Sequence, residues 1–351
     1  MLTHSDRSGS TKSIRAWVFR KLPILIRARR WILNKIRNYI LKKEATDEAQ
    51  RIYSAIRHCK TRVLIVCDNQ CTPPTYGDYL YFILLVRFFI AHKVSVDFII
   101  VDSELRADWD DLTVAERQLH ISMQFKLADC LINSNLCRIN TLSWENTRKY
   151  IKKNQHGYII YSEKVFNRSS VYNLCFNLLN QLLHKVSPSV LRSILFKSSE
   201  LSSYVKTAPA PNSYVTLHCR YSRKWGLERN LTEQEFLTIH SLLSRQFPGL
   251  SIMVISDDNG CSYFEQIALK HMLTLDYSKR HSSSFIGDAF LVLNSAFYFQ
   301  LRGGGMGIIP TFSFLPFKII CLTVHELMWA RDRIACFHEN NQVFILGNKL
   351  L

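Results

Sequence analysis

The residues best equipped for chemistry lie in three short stretches of the second half of the chain. "HCR" sets His218 beside Arg220 at the end of one apolar run, and "SDD" sets Ser256, Asp257 and Asp258 at the end of another. "FQLRGGGMGIIP" (299–310) puts Arg302 directly before Gly303, Gly304 and Gly305. The chain has 12 glycines in 351 residues, and four of them fall in that dozen. Arginine presents a two-pronged fork to phosphate. Carboxylates take sugar hydroxyls or a base edge, and glycine lets a bulky anion come close to main-chain N–H groups. Asp288 and Ser295, on the run leading into the glycines, add a carboxylate and a hydroxyl. Together these groups are the inventory of a nucleoside diphosphate site.

Each stretch also has a plainer reading. Arg220 at a strand end can be a surface residue, and His218 a core imidazole with a satisfied nitrogen. Asp257 or Asp258 can cap the helix expected from Ser262, and the glycines can make a tight turn for packing. Two familiar phosphate patterns do not apply. GxGxxG belongs at a first βα turn with an acidic residue about twenty positions on, whereas here the run is late and Ile308 stands where the third glycine belongs. No GxxxxGK[ST] loop occurs.

To act together, these residues need a frame that brings several strand ends to one edge. The continuous apolar runs "TRVLIVCD" (61–68) and "VSVDFIIVD" (94–102), with "CRINTL" and "GYIIYSE" (157–163), read as buried parallel strands. Helical stretches separate them, "YLYFILLVRFFIAHK", 112–134 and "WENTRKYIKK", and two more follow at 170–185 and 188–203. After "TAPAPNS" (207–213), a linker by composition, the alternation restarts. "YVTLHCR" (214–220), "SIMVISD" (251–257), "LTLD", "AFYFQLR" and "FKIICLT" (317–323) are the strands. Among the helices between them, one opens with a Thr232/Glu235 capping box. Repeated βαβ units predict an α/β fold of two Rossmann-like domains facing a cleft, 51–206 and 207–351, behind a basic segment over 1–50. The glycine run then falls at a strand-to-helix turn on the carboxyl edge of a parallel sheet, where such folds bind ligands. A helix following it would aim its positive end at the same spot.

The net charge of +17 is unevenly spread: Lys12 to Lys43 hold 11 Lys or Arg and no acid, leaving +6 elsewhere. Within that tail Ile14, Val18, Leu22 and Leu25, then Ile32, Ile36 and Ile40, recur at helical spacing, with Trp17 and Trp31 beside them. Charges every few residues exclude a membrane span. The pattern fits an amphipathic helix, broken at Pro23, lying on an anionic membrane surface through residues 12–43. The alternatives are a helix packed on its own domain or left in solvent, and a nucleic-acid arm, which no recognised motif supports. Ten cysteines without CxxC pairs read as reduced thiols, which points to a reducing, cytoplasmic setting on the inner face of a membrane.

With these elements in place, the chain resembles the GT-B glycosyltransferases. "YVTLHCRYSRKW", "MVISDD" and "GDAFLVLNSAFYFQLRGGG" resemble the three spaced motifs of the GDP-fucose fucosyltransferase superfamily, over roughly residues 214–311. That group includes nodulation, core α1,6- and protein O-fucosyltransferases. The resemblance implies that Arg220 contacts the donor's β-phosphate, that Ser256, Asp257 and Asp258 form the second motif, and that Asp288 and Ser295 belong to the third. It implies a metal-independent transfer from a nucleotide sugar, GDP-linked by preference, with no further cofactor, to a glycan acceptor, which the basic tail allows to be lipid-linked. Arg220, helped by Arg302 or Arg223 and the N–H groups of Gly303, Gly304 and Gly305, would stabilise the leaving diphosphate. Two departures stand out: "RYSRKW" replaces the usual Arg-x-x-Asp, and the glycine triplet is foreign to the third motif. In the first domain, Gly77 and Asp78 open a helix at the first βα turn, so Asp78 is either an ordinary N-cap or the candidate general base, with Asp68 the second candidate. Two other readings stay open: a non-catalytic nucleotide or sugar binder, and another sugar-nucleotide enzyme such as an epimerase.

Overall fold

A computed structural model describes residues 39–40, 43–57, 62–70, 76–103, 113–161, 174–205, 207, 209–221, 230–301, 305–321 and 343–345. After helix α1 (43–57) strands and helices alternate through each unit, with a few helices in succession. In the first unit come β1 (Val63–Asp68), α2 (Tyr76–Ala91), β2 (Val96–Val101), α3 (Val114–Ile132), β3 (Cys137–Leu142), α4 (Trp144–Lys153) and β4 (Tyr158–Tyr161). Helices α5 (Leu174–Leu183) and α6 (Pro188–Ile194) lead to the second unit. There β5 (Tyr214–Cys219), α7 (Glu233–Gln246), β6 (Ser251–Ile255), α8 (Asp258–Lys270), β7 (Asp276–Tyr277) and the one-turn α9 (Ser278–His281) follow. Then come α10 (Phe285–Leu293), β8 (Phe297–Leu301), α11 (Ile308–Thr311), β9 (Phe317–Cys321) and β10 (Val343–Ile345).

All paired strands run parallel, in two sheets ordered β3-β2-β1-β4 and β10-β9-β8-β5-β6-β7. Counted from its own first strand, the second sheet has the Rossmann order 3-2-1-4-5-6, read from the other edge. The expected α/β class with two Rossmann-like units is therefore what the chain forms. β1 and β2 are buried along their whole length, as strands covered on both faces must be.

Helix α2 explains how the units hold together. It is apolar all round, with 13 of its 16 residues buried, as expected for a helix with no solvent face. One side packs on the first sheet, where Tyr79 stacks with Phe98 at 5.9 Å. Another meets the second unit, where Tyr81 lies edge-on to Phe312 at 6.3 Å. One apolar core accordingly runs from Ala45 and Ile52 through α2 to Ile286, Tyr298 and Ile309. Arg87, 6% exposed, is one of two buried charged residues on this helix, with Asp78. Its guanidinium donates to both carboxylate oxygens of Glu200 (2.9 and 3.0 Å) and to the carbonyls of Leu131, Ser193 and Leu195. It thus ties the carboxyl ends of α3 and α6 together. Among the described residues no helix is long and apolar enough to cross a membrane.

Several boundaries depart from expectation. Ala45 and Ala49 are buried in the core, so the packed part of the first unit begins ahead of residue 51. The helix expected over 188–203 stops at Ile194, because Leu195 turns extended and Phe196 N–H bonds to Phe312 O at 2.9 Å. Two 3-10 turns then lie on α10. Helix α8 starts at Asp258 rather than near Ser262, and β10 was not foreseen. The basic tail before residue 39 lies outside the described residues.

Candidate functional site

β5 is where the second sheet changes direction, with β8 on one side and β6 on the other. Open α/β sheets bind ligands outside the carboxyl ends of strands at such a point. A cavity of about 390 Å³ opens there, within the range of small-molecule sites. His218, Cys219 and Arg220 line it from the end of β5, Ile255, Ser256 and Asp257 from the end of β6, and Gly305 and Met306 from the turn after β8. Lys279, Phe285 and Asp288 form another wall, and Tyr76, Gly77 and His120 close it from the first unit.

His218 points to the site because of strand alternation. Val215, Leu217 and Cys219 fill the core on one face of β5, leaving Tyr214, Thr216 and His218 on the other. Its ring stacks with Tyr298 at 6.3 Å, and its Nδ1 meets no partner among the described residues. Burial, and secondarily Arg220, push its pKa down to about 4. The imidazole is therefore neutral at physiological pH, a hydrogen-bonding group rather than a charge.

The second motif divides its work. Ser256 Oγ donates to Cys219 O at 2.7 Å and fastens β6 to β5. Asp257 is the N-cap of α8, accepting from Gly260 N–H at 2.7 Å, and it also lines the cavity. Asp258 is exposed in the first turn of α8 and is not part of the wall.

Ser295 is a correction. It precedes β8, at the amino edge of the sheet, and its hydroxyl is spent on Val292 O (2.7 Å) and Thr216 Oγ1 (3.1 Å). It braces β5 against β8 from the far edge, so the structure does not bring it to the cavity. Asp288 does reach the wall, 5% exposed, but it holds Lys279 Nζ at 2.7 Å.

The glycine run has a use that residue types alone did not reveal. Arg302, Gly303 and Gly304 lie outside the described residues, as does Arg223. Gly305 is seen, and it lies against Gly77: a Cβ on Gly77 would sit 2.3 Å from Gly305 Cα. The start of α2 and the turn after β8 thus touch backbone to backbone, which only glycine permits. Beyond this the chain makes a 3-10 turn (Gly305–Gly307) and then α11, four residues long. So short a helix carries little of the macrodipole expected there.

Neither candidate base from the first unit lines the cavity. Asp78 is 4% exposed within α2. Asp68 accepts from Ser103 Oγ (2.7 Å), Trp144 Nε1 (3.1 Å) and Gln70 N–H (3.0 Å), and so anchors the turn after β1. The residue in view is instead His120, on α3, which sequence reading passed over. Its ring stacks on Tyr76 at 4.9 Å, and Tyr76 in turn meets Phe285 across the cleft at 5.1 Å. Burial lowers its pKa to about 4, and its Nε2 has no partner among the described residues. No local motif marks a lone histidine in mid-helix, so only the assembled cleft identifies it.

No protein-family model and no curated protein matches the chain. Among solved structures it is similar to a family 9 glycosyl transferase from Veillonella parvula, with 8% identity and a TM-score of 0.41 over 74% of this chain and 80% of that one. It is similar to an ADP-heptose lipopolysaccharide heptosyltransferase II from E. coli, with 10% identity and a TM-score of 0.40 over 82% and 91%. It is also similar to POFUT1 in complex with GDP, with 8% identity and a TM-score of 0.34 over 82% and 99%. Likenesses this distant carry no function across. The two Rossmann-like units rest on the chain's own strand order.

Proposed function

We propose that this protein is a glycosyltransferase of the GT-B kind, taking a sugar from a nucleoside diphosphate donor. One observation carries the reading: Arg220 stands at the carboxyl end of the first strand of a Rossmann-ordered sheet, on the wall of a cavity shared with a second such unit. Transfer releases a diphosphate, whose growing charge needs fixed positive partners in a site with little water. Arg220 supplies a fork for it, and His218 a neutral ring nitrogen. The acceptor enters from the first unit, past Tyr76, Gly77 and His120. Because His120 stays neutral, it orients an acceptor hydroxyl by hydrogen bonding rather than by charge. The resemblance of the three motifs favours a GDP-sugar, with fucose first among the donors, and a reaction needing neither metal nor further cofactor. The basic tail favours an acceptor at an anionic membrane surface on the cytoplasmic side, such as a lipid-linked glycan in surface polysaccharide or lipopolysaccharide assembly.

A thermal-shift panel of GDP, UDP, ADP, CMP and their sugars, without metal, tests this. A ligand at a hundred times its Kd adds about 2.7 kcal/mol to stability, a readily visible shift. The expected result is selective stabilisation by one nucleoside diphosphate and its sugar. Arg220→Ala should weaken it roughly 10- to 100-fold, the scale of a lost charged hydrogen bond, while leaving the unliganded melting temperature near wild type. Stabilisation by no nucleotide would overturn the reading in favour of a protein without a donor site.

A further inference from the structure

Lys279 belongs to no motif legible in the sequence, yet it lines the cavity from the turn after β7. Its ammonium meets Asp288 Oδ2 at 2.7 Å, with the two side chains 19% and 7% exposed. An ammonium has three N–H donors, and among the described residues only Asp288 accepts from it. Asp288 is held from behind by its place in α10, in the buried stretch from Ile286 to Ala289. Fold stability is a weak reason to sequester such a pair, since a buried ion pair seldom gains over an apolar replacement. A pair with one cationic end on a cavity wall has another use: the carboxylate holds the ammonium in place before a ligand arrives, so little side-chain freedom is lost on binding.

We infer that Lys279 is a second cation for the donor's diphosphate, facing it across the cavity from Arg220, and that Asp288 acts only through Lys279 as its positioning residue. This rests on the glycosyltransferase reading and deepens it. It also reassigns Asp288, expected from the motif to touch the donor. Arg220 approaches from β5 and Lys279 from the β7 edge, so a diphosphate between them is gripped by side chains from two different strand ends.

The test is a double-mutant cycle on the full chain, titrated with GDP, UDP and ADP, the matching monophosphates, and inorganic pyrophosphate as a base-free probe. Lys279→Met is expected to weaken diphosphate and pyrophosphate binding roughly 10- to 100-fold, with less effect on monophosphates. Lys279→Arg should recover much of the loss. Asp288→Asn should weaken diphosphate binding in the wild-type background and change nothing further in Lys279→Met, the non-additivity of a residue acting through its neighbour. Lys279→Met alone strands a buried carboxylate and can fail to fold. The double variant Lys279→Met/Asp288→Asn removes both charges and keeps the measurement available. Wild-type diphosphate affinity in the double variant would overturn the inference and leave the glycosyltransferase reading standing. An Asp288→Asn loss that persists in full without Lys279 would overturn the positioning role. Failure of the wild-type chain to bind any diphosphate or pyrophosphate would remove both readings together.

Discussion

Arg220, His218 and His120 show how environment sets the role of a residue. Both imidazoles are held near pKa 4, against an ordinary value of 6.5, chiefly by burial. A depressed histidine pKa means that the folded state binds fewer protons than the unfolded chain between those values. Stability from this source is complete above about pH 6.5 and is lost as pH falls toward 4. Melting temperatures are therefore expected to drop between pH 7 and 4.5, and His120→Phe, which keeps the stack on Tyr76 without a titrating group, should flatten that drop. An unchanged slope in the variant would show that folding does not depress the His120 pKa. Cysteines at this scale are inert fillers: Cys67, Cys219 and Cys261 are buried and form no disulfide, and burial pushes the Cys261 thiol up to about 11.

Helix α2 and the turn after β8 make the site at the scale of elements. Gly77→Ala would drive a Cβ into the backbone of Gly305. The expected cost is about 1–3 kcal/mol, typical of overpacking, together with weaker nucleotide binding because Gly305 lines the cavity. A melting curve and a titration of the same variant check both, and a variant as stable as wild type would mean the close approach is not required. Arg87 is the other element-level fastening. Arg87→Met removes five hydrogen bonds and leaves Glu200 and three carbonyls without it. A loss of about 3–5 kcal/mol is expected, measured as a fall in the urea midpoint, with part of it returned by adding Glu200→Gln.

Across the whole molecule, a continuous apolar core joins the two units and fixes the cleft between them. The basic tail stands apart from this core in composition, with its 11 cations over residues 12–43. Full-length protein is expected to co-sediment with vesicles containing anionic lipid, less so as salt rises, since each basic residue near such a surface adds about 1 kcal/mol. A chain lacking residues 1–38 should stay in the supernatant yet bind nucleotide as before. Equal sedimentation of both would move the membrane contact to the body of the protein.

The sequence by itself determined the two-unit α/β architecture, because continuous apolar runs alternating with helices have few other ways to be buried. It also placed Arg220 and Asp257 at the cavity edge, since each stands within two residues of the end of a strand whose apolar run names its own end. The second sheet's parallel pairing sent Ser295 to the far edge, and the turn from α9 into α10 brought Lys279 in beside Asp288. Contacts between residues distant along the chain decided the remainder. Asp78 was drawn inward because α2 is buried on every side, and His120 reached the cleft because α3 packs beside it. Gly305 serves the junction of the units because its partner, Gly77, lies more than two hundred residues away. Local pattern reports what a residue follows, whereas tertiary packing decides what it faces.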